Sequence, residues 1–185
     1  MIKETLHEAE NRMKSALQHL DEELAAIRTG RASPALLDRI TVEYYGTPTP
    51  LNQVASVSAP DATLLVIKPY DPSMIGAIEK TIQSSDLGLT PNSDGQVVRL
   101  AIPTLTKERR EEYVKMVHKR VEEAKVAVRN IRRDVQDEIR DYEKEKLITE
   151  DEMHRGRDDL QKLTDSYTSL IDESGKRKEH EIMEL

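Results

Sequence analysis

Apolar side chains recur every three or four positions at both ends of this chain. The first stretch carries Ile2, Leu6, Ala9, Met13, Ala16, Leu20, Leu24 and Ile27. Alternating steps of three and four give a helix that buries one narrow stripe. A second stretch carries Val114, Val117, Val121, Ala124, Val128, Ile131, Val135, Ile139 and Tyr142. Thr106, with Glu108 in the turn that follows, marks its start. The pattern breaks near Leu147 and Ile148. There Thr149 and Glu152 have capping-box spacing, and Ile148 with Met153 fits a hydrophobic staple. A third helix is predicted from that point, turning Met153, Leu160, Leu163, Tyr167, Leu170 and Ile182 toward a core. A single apolar stripe stays wet unless it meets another. The three together predict an elongated antiparallel three-helix bundle.

The middle of the chain has a different pattern. All eight prolines fall between Pro34 and Pro103. Proline removes a backbone donor and clashes with the preceding turn, so long helices exclude it. Residues 31–104 also hold only five of the 28 basic and seven of the 35 acidic side chains. The predicted fold class is therefore α+β. Residues 1–30 and 104–185 form the bundle, and residues 31–103 form a small mixed α/β domain inserted into it.

Within the insert, Ser33 followed by Pro34 predicts a short helix over Ala35–Leu37. Residues 40–44 alternate and read as a strand, ended by Gly46 and Pro48. Tyr44 and Tyr45, as neighbours on that strand, are expected on opposite faces. They would then form no joint base-stacking platform. Residues 53–58 and 63–68 read as further strands. Asp71-Pro72 caps a helix with Ile75, Ile78 and Ile82 on its apolar face. Residues 92–95 read as a turn and 97–102 as the last strand. The two chain crossings, Thr29-Gly30 and Pro103-Thr104-Leu105, are expected to act as a hinge.

Composition narrows the chemistry. There is no Cys, so disulfides and thiolate catalysis are excluded. Early Glu4, Glu8 and Glu10 argue against a secretory or transit segment. The longest aliphatic run, residues 64–67, is too short to span a membrane. A cytoplasmic protein is expected. No phosphate loop of the Walker type and no nucleophile elbow occurs. His7, His19, His118, His154 and His180 lack a second ligand at metal spacing. No catalytic residue, metal or cofactor is predicted.

Charge is locally informative. The chain is acidic, with a net charge of −7. Yet Lys125, Arg129, Arg132, Arg133 and Arg140 fall on one stripe of the second long helix, about 100° wide and about 110° from the apolar seam. Arg28 and Arg31, with Arg109 and Arg110, are placed to extend it. The stripe has two readings. One is a solvated face, with Arg133 paired to Asp137 four residues on. The other is a track for phosphates, which arginine grips with paired donors. Arg132 lies off the apolar seam and is expected to contribute little to the fold.

Several stretches carry a family resemblance. They are Ile27-Arg28-Thr29-Gly30-Arg31-Ala32-Ser33-Pro34, Val42-Glu43-Tyr44-Tyr45-Gly46-Thr47-Pro48, Ser85-Asp86-Leu87-Gly88-Leu89-Thr90-Pro91-Asn92 and Val126-Ala127-Val128-Arg129-Asn130-Ile131-Arg132-Arg133-Asp134. Leu163-Thr164-Asp165 fits with them. Across essentially its whole length the chain resembles bacterial ribosome recycling factors. The resemblance implies an L-shaped, tRNA-like protein that binds 23S rRNA of the large ribosomal subunit after termination. Elongation factor G, using GTP, would then separate the subunits. It implies Arg132 as the leading rRNA contact, with Arg129, Arg28 and Arg31 in support and Arg133, Lys125 and Arg110 beside them. A monomer without cofactor or membrane is expected. Two other classes remain open on the residues alone: a coiled-coil adaptor for a partner helix, and an enzyme using Arg28 or Arg31 on an anionic substrate.

Overall fold

The computed structural model describes residues 1–27 and 29–184. Two compact units emerge, one from residues 1–27 and 107–184, the other from residues 29–106.

Three helices build the first unit: α1 (Ile2–Ala25), α4 (Lys107–Lys144) and α5 (Glu150–Met183). Thr5 meets Tyr142, Arg12 meets Asp134 and Glu23 meets Arg120, so α1 and α4 run antiparallel. Gly156 of α5 faces Ile2, and Tyr167 further along α5 donates to Glu10 at 3.3 Å, so α5 runs beside α1 in the same direction. The seams meet as expected. Ala9, Met13, Leu20, Leu24 and Ile27 join Val117, Val128, Ile131, Val135, Ile139 and Leu160 in one buried core. The capping box forms, with Glu152 N–H donating to Thr149 Oγ1 and Thr149 N–H donating to the Glu152 carboxylate. The backbone N–H of Thr149 holds the Glu152 carboxyl below its ordinary pKa.

One seam position is corrected. Leu170 is exposed, and Ile171 is fully buried in its place. The stripe on α5 runs through Thr164, Tyr167, Ile171, Ser174 and Gly175. Small residues carry it at 174 and 175, so counting only large apolar side chains shifted it by one position. These small residues let helices approach closely. A Cβ on Gly175 would lie 2.5 Å from Val121 Cγ2, and one on Gly156 would lie 3.2 Å from Ile2 Cγ2.

The second unit is a helix on an antiparallel sheet, with a separate hairpin. The sheet comprises β3 (Ala55–Asp61), β4 (Leu64–Pro69), β5 (Pro91–Ser93) and β6 (Val98–Ala101), in the order β3-β4-β6-β5. Helix α3 (Ile75–Ser84) shares one core with it. Ile75, Ile78 and Ile82 are buried with Leu65, Ile67, Val98 and Leu100. Asp71 accepts from Ser73 N–H ahead of α3, and Ser33 accepts from Ala35 N–H at a 3₁₀ turn, Pro34–Leu37.

Four readings of this unit change. Thr47–Pro50 does not end the strand; it is β2, paired with β1 (Thr41–Tyr44). Its prolines are tolerated because β2 has one partner only, and an edge strand needs half its donors. Residues 51–54 form one turn of helix, α2 (Leu51–Val54), so β3 starts at Ala55 rather than Gln53. Asn92 and Ser93 lie in β5, leaving Asp94-Gly95 as the turn. Tyr45 is not on a strand. With φ of 49° it forms the β1–β2 turn with Gly46 at 75°, the positive values that a two-residue hairpin loop requires. Its ring meets Tyr44 edge-on, centroids 4.5 Å apart, so the two do not face apart.

The crossing segments pack on each other. Gly30 is buried at φ +76°, and a Cβ there would lie 2.9 Å from Leu105 Cγ. Thr29 and Leu105 are half-buried, while Pro103 and Thr104 are exposed.

Candidate nucleic-acid interface

Two of the stripe cations on α4 reach across to α5. Lys125 Nζ lies 2.6 Å from Asp172 of α5. Arg132 donates through Nη1 to Gln161 Oε1 at 3.0 Å. Arg129 reaches back along its own helix to Glu122 at 2.7 Å, and Arg140 lies 3.6 Å from Asp137. The expected Arg133–Asp137 pair does not form. Asp137 is taken by Arg140, and Arg133 projects free of any ion pair among the described residues.

Three of the five stripe cations thus face carboxylates. These contacts are solvent-accessible, and such pairs contribute about 0–1 kcal/mol each. Phosphate can replace the carboxylate at little cost.

Arg132 differs from its neighbours. It is half-buried, and its Nε is enclosed without a hydrogen-bond partner. The expectation that it stands apart from the fold is corrected, because it bridges α4 to α5. Its acceptor is a neutral amide, so its full positive charge remains. Gln161 is itself oriented by donating through Nε2 to Asp165 Oδ1 at 2.8 Å.

The remaining expected contacts are dispersed. Arg110, in the first turn of α4, is half-buried and also encloses an unpartnered Nε. Arg109 pairs with Glu112 at 3.0 Å and lies 5.5 Å over the Tyr113 ring. Arg31 is exposed in the second unit, where its N–H donates to Thr29 Oγ1. Arg28 lies outside the described residues.

Sequence reasoning missed the α5 side of this face. Arg132, Gln136, His154, Arg157, Asp158, Leu160 and Gln161 surround a surface depression of about 470 Å³. The missed signal is a repeat: Arg132 and Gln136 are four residues apart, as are Arg157 and Gln161.

Among the described residues, no group of three or more His, Asp or Glu is placed to hold a metal ion, and no helix is long and apolar enough to cross a membrane.

Fold and face together define a helix-bundle protein with a cationic surface on one side of its central helix. Comparison with known proteins gives it a family. A model of the ribosome recycling factor family matches residues 20–183. The ribosome-recycling factor of Shouchella clausii (strain KSM-K16) is 57% identical over 185 residues, covering both chains completely. That of Bacillus subtilis (strain 168) is 56% identical with the same coverage. A solution structure of the ribosome recycling factor aligns with TM-score 0.74 and 42% identity, over 100% of this chain and 98% of the other. A second comparison is with models for the T. thermophilus ribosome recycling factor and the E. coli elongation factor G bound to the E. coli post-termination complex. It gives TM-score 0.63 and 44% identity over 99% of each chain. The chain belongs to the ribosome recycling factor family, a family of translation factors.

Proposed function

We propose that this protein recycles ribosomes. It binds the large subunit through 23S rRNA after termination, and elongation factor G with GTP then splits the complex and frees the mRNA. The observation that carries this reading is local. An acidic chain gathers Lys125, Arg129, Arg132 and Arg133 on one side of its longest helix, and full-length relatives carry the recycling-factor name. Contacts of this kind go to phosphates and read RNA shape rather than base edges. The acidic remainder of the surface limits indiscriminate RNA binding and so favours release. The protein acts by binding, as a monomer in the cytoplasm, without a catalytic residue or cofactor of its own. The nucleotide chemistry belongs to elongation factor G.

Breakdown of post-termination polysomes by elongation factor G and GTP tests the reading directly. Intact protein should convert them to free ribosomes. Arg132→Ala should weaken large-subunit binding and lower the salt slope by roughly 0.7–0.9 per lost phosphate contact. Losing the Gln161 bond should cost about 0.5–1.5 kcal/mol of stability. Polysomes left intact by the unmodified protein would discard this function.

A further inference from the structure

Two arginines and two glutamines alternate across the α4–α5 junction. Arg132 and Gln136 sit one helical turn apart on α4, and Arg157 and Gln161 sit one turn apart on α5. The helices run antiparallel, so each arginine meets the other helix's glutamine. Arg132 donates to Gln161 Oε1 at 3.0 Å. With its carboxamide oxygen turned inward, Gln136 accepts from Arg157 Nη2 at 2.7 Å and from Arg157 Nε at 3.1 Å. All four residues border one depression.

The choice of amide matters. A carboxylate in either place would fix the arginine equally well and cancel its charge, as Asp172 does at Lys125 and Glu122 at Arg129. Glutamine fixes the guanidinium and leaves the charge intact. The arginine keeps its other donors for a ligand, at little further entropy loss on binding. His154 and Asp158 complete the rim, with His154 Nε2 lying 3.6 Å from Glu150.

We propose that Arg132 and Arg157 form a clamp for one phosphate of structured ribosomal RNA, held ready by reciprocal bonds to Gln161 and Gln136. Arg157 is the new binding residue, and the two glutamines are positioning residues. The clamp rests on the ribosome-binding reading above and makes the recognised element two-sided. Arg132 serves from α4 and Arg157 from α5.

A double-mutant cycle on salt-washed large ribosomal subunits tests it. Arg157→Gln should lower affinity about 3- to 10-fold in the unmodified protein and by less than about twofold in an Arg132→Ala background, because a shared phosphate couples the two. Gln161→Glu should give a comparable loss, because the carboxylate pairs with Arg132 and cancels its charge; thermal stability should change little, since that ion pair is offset by the lost bond to Asp165 and the repulsion that replaces it. That loss should also shrink in the Arg132→Ala background, which generic repulsion of RNA would not do. An Arg157→Gln affinity within twofold of the unmodified protein overturns the clamp, and so does an equal loss in both backgrounds. If Arg132→Ala still weakens binding in those cases, the ribosome reading stands and only the clamp falls. If the unmodified protein fails to bind large subunits, both fall together.

Discussion

Asp94 shows how one exposed carboxylate sets a turn. Its Oδ1 accepts from the N–H groups of Val97 and Gln96, each at 3.0 Å, and its Oδ2 accepts from Arg99 at 2.8 Å. Those bonds, Val97 first, hold its pKa at about 2 against an ordinary 3.8. The depressed value means the bonds stabilise the folded turn in full above the ordinary value. The contribution declines as pH falls from 3.8 and is gone below about 2. NMR titration should therefore move the Gln96 and Val97 amide protons with a midpoint near 2. A midpoint near 3.8 would contradict the turn. At this scale the identity of each cation was legible from spacing, because helical phase places Lys125, Arg129 and Arg132 together. The partners of Lys125 and Arg132 were not. Gln161 and Asp172 lie on another helix, and the register between helices is fixed by packing that one helix does not encode.

Helix α5 meets α4 through Gly175, and the sign of a substitution there depends on two opposing effects. Gly→Ala inside a helix ordinarily gains about 0.5–1 kcal/mol from backbone entropy. Here the added methyl would stand 2.5 Å from Val121 Cγ2. Valine is β-branched and has little rotamer freedom to retreat, and overpacking costs about 1–3 kcal/mol. Gly175→Ala should be destabilised by about 1–2 kcal/mol in denaturant unfolding. Placed on a Val121→Ala background, the same change should stabilise instead. A Gly175→Ala single variant more stable than the parent would show that the helices do not approach this closely. The long helices were legible because their period persists for many turns. Strand β2 was not, since Pro48 and Pro50 read as breakers until the hairpin supplies a single partner. Leu170 was misplaced by one position because Ser174 and Gly175 continue the buried stripe without being large or apolar.

For the molecule as a whole, the concentration of proline between Pro34 and Pro103 made the two-part architecture legible, since long helices exclude that residue. The bundle it implies is assembled from distant parts of the chain. Helix α1 is translated first, yet the surfaces that cover Met13, Leu20 and Leu24 belong to α4 and α5. At about 5–20 residues per second, on the order of ten seconds passes before α5 is complete. Residues 29–106 emerge in between and hold their own core, so that unit can mature first. Stalled nascent chains just long enough for residue 106 to have left the ribosome should thus resist protease within the sheet unit while residues 2–25 are cut. Early protection of residues 2–25 would show that α1 finds shelter without the later helices. Glu4, Glu8, Glu10, Asp21, Glu22 and Glu23 keep the waiting segment acidic. Until synthesis is nearly complete the first helix therefore has no shelter, and only a finished chain can assemble the bundle.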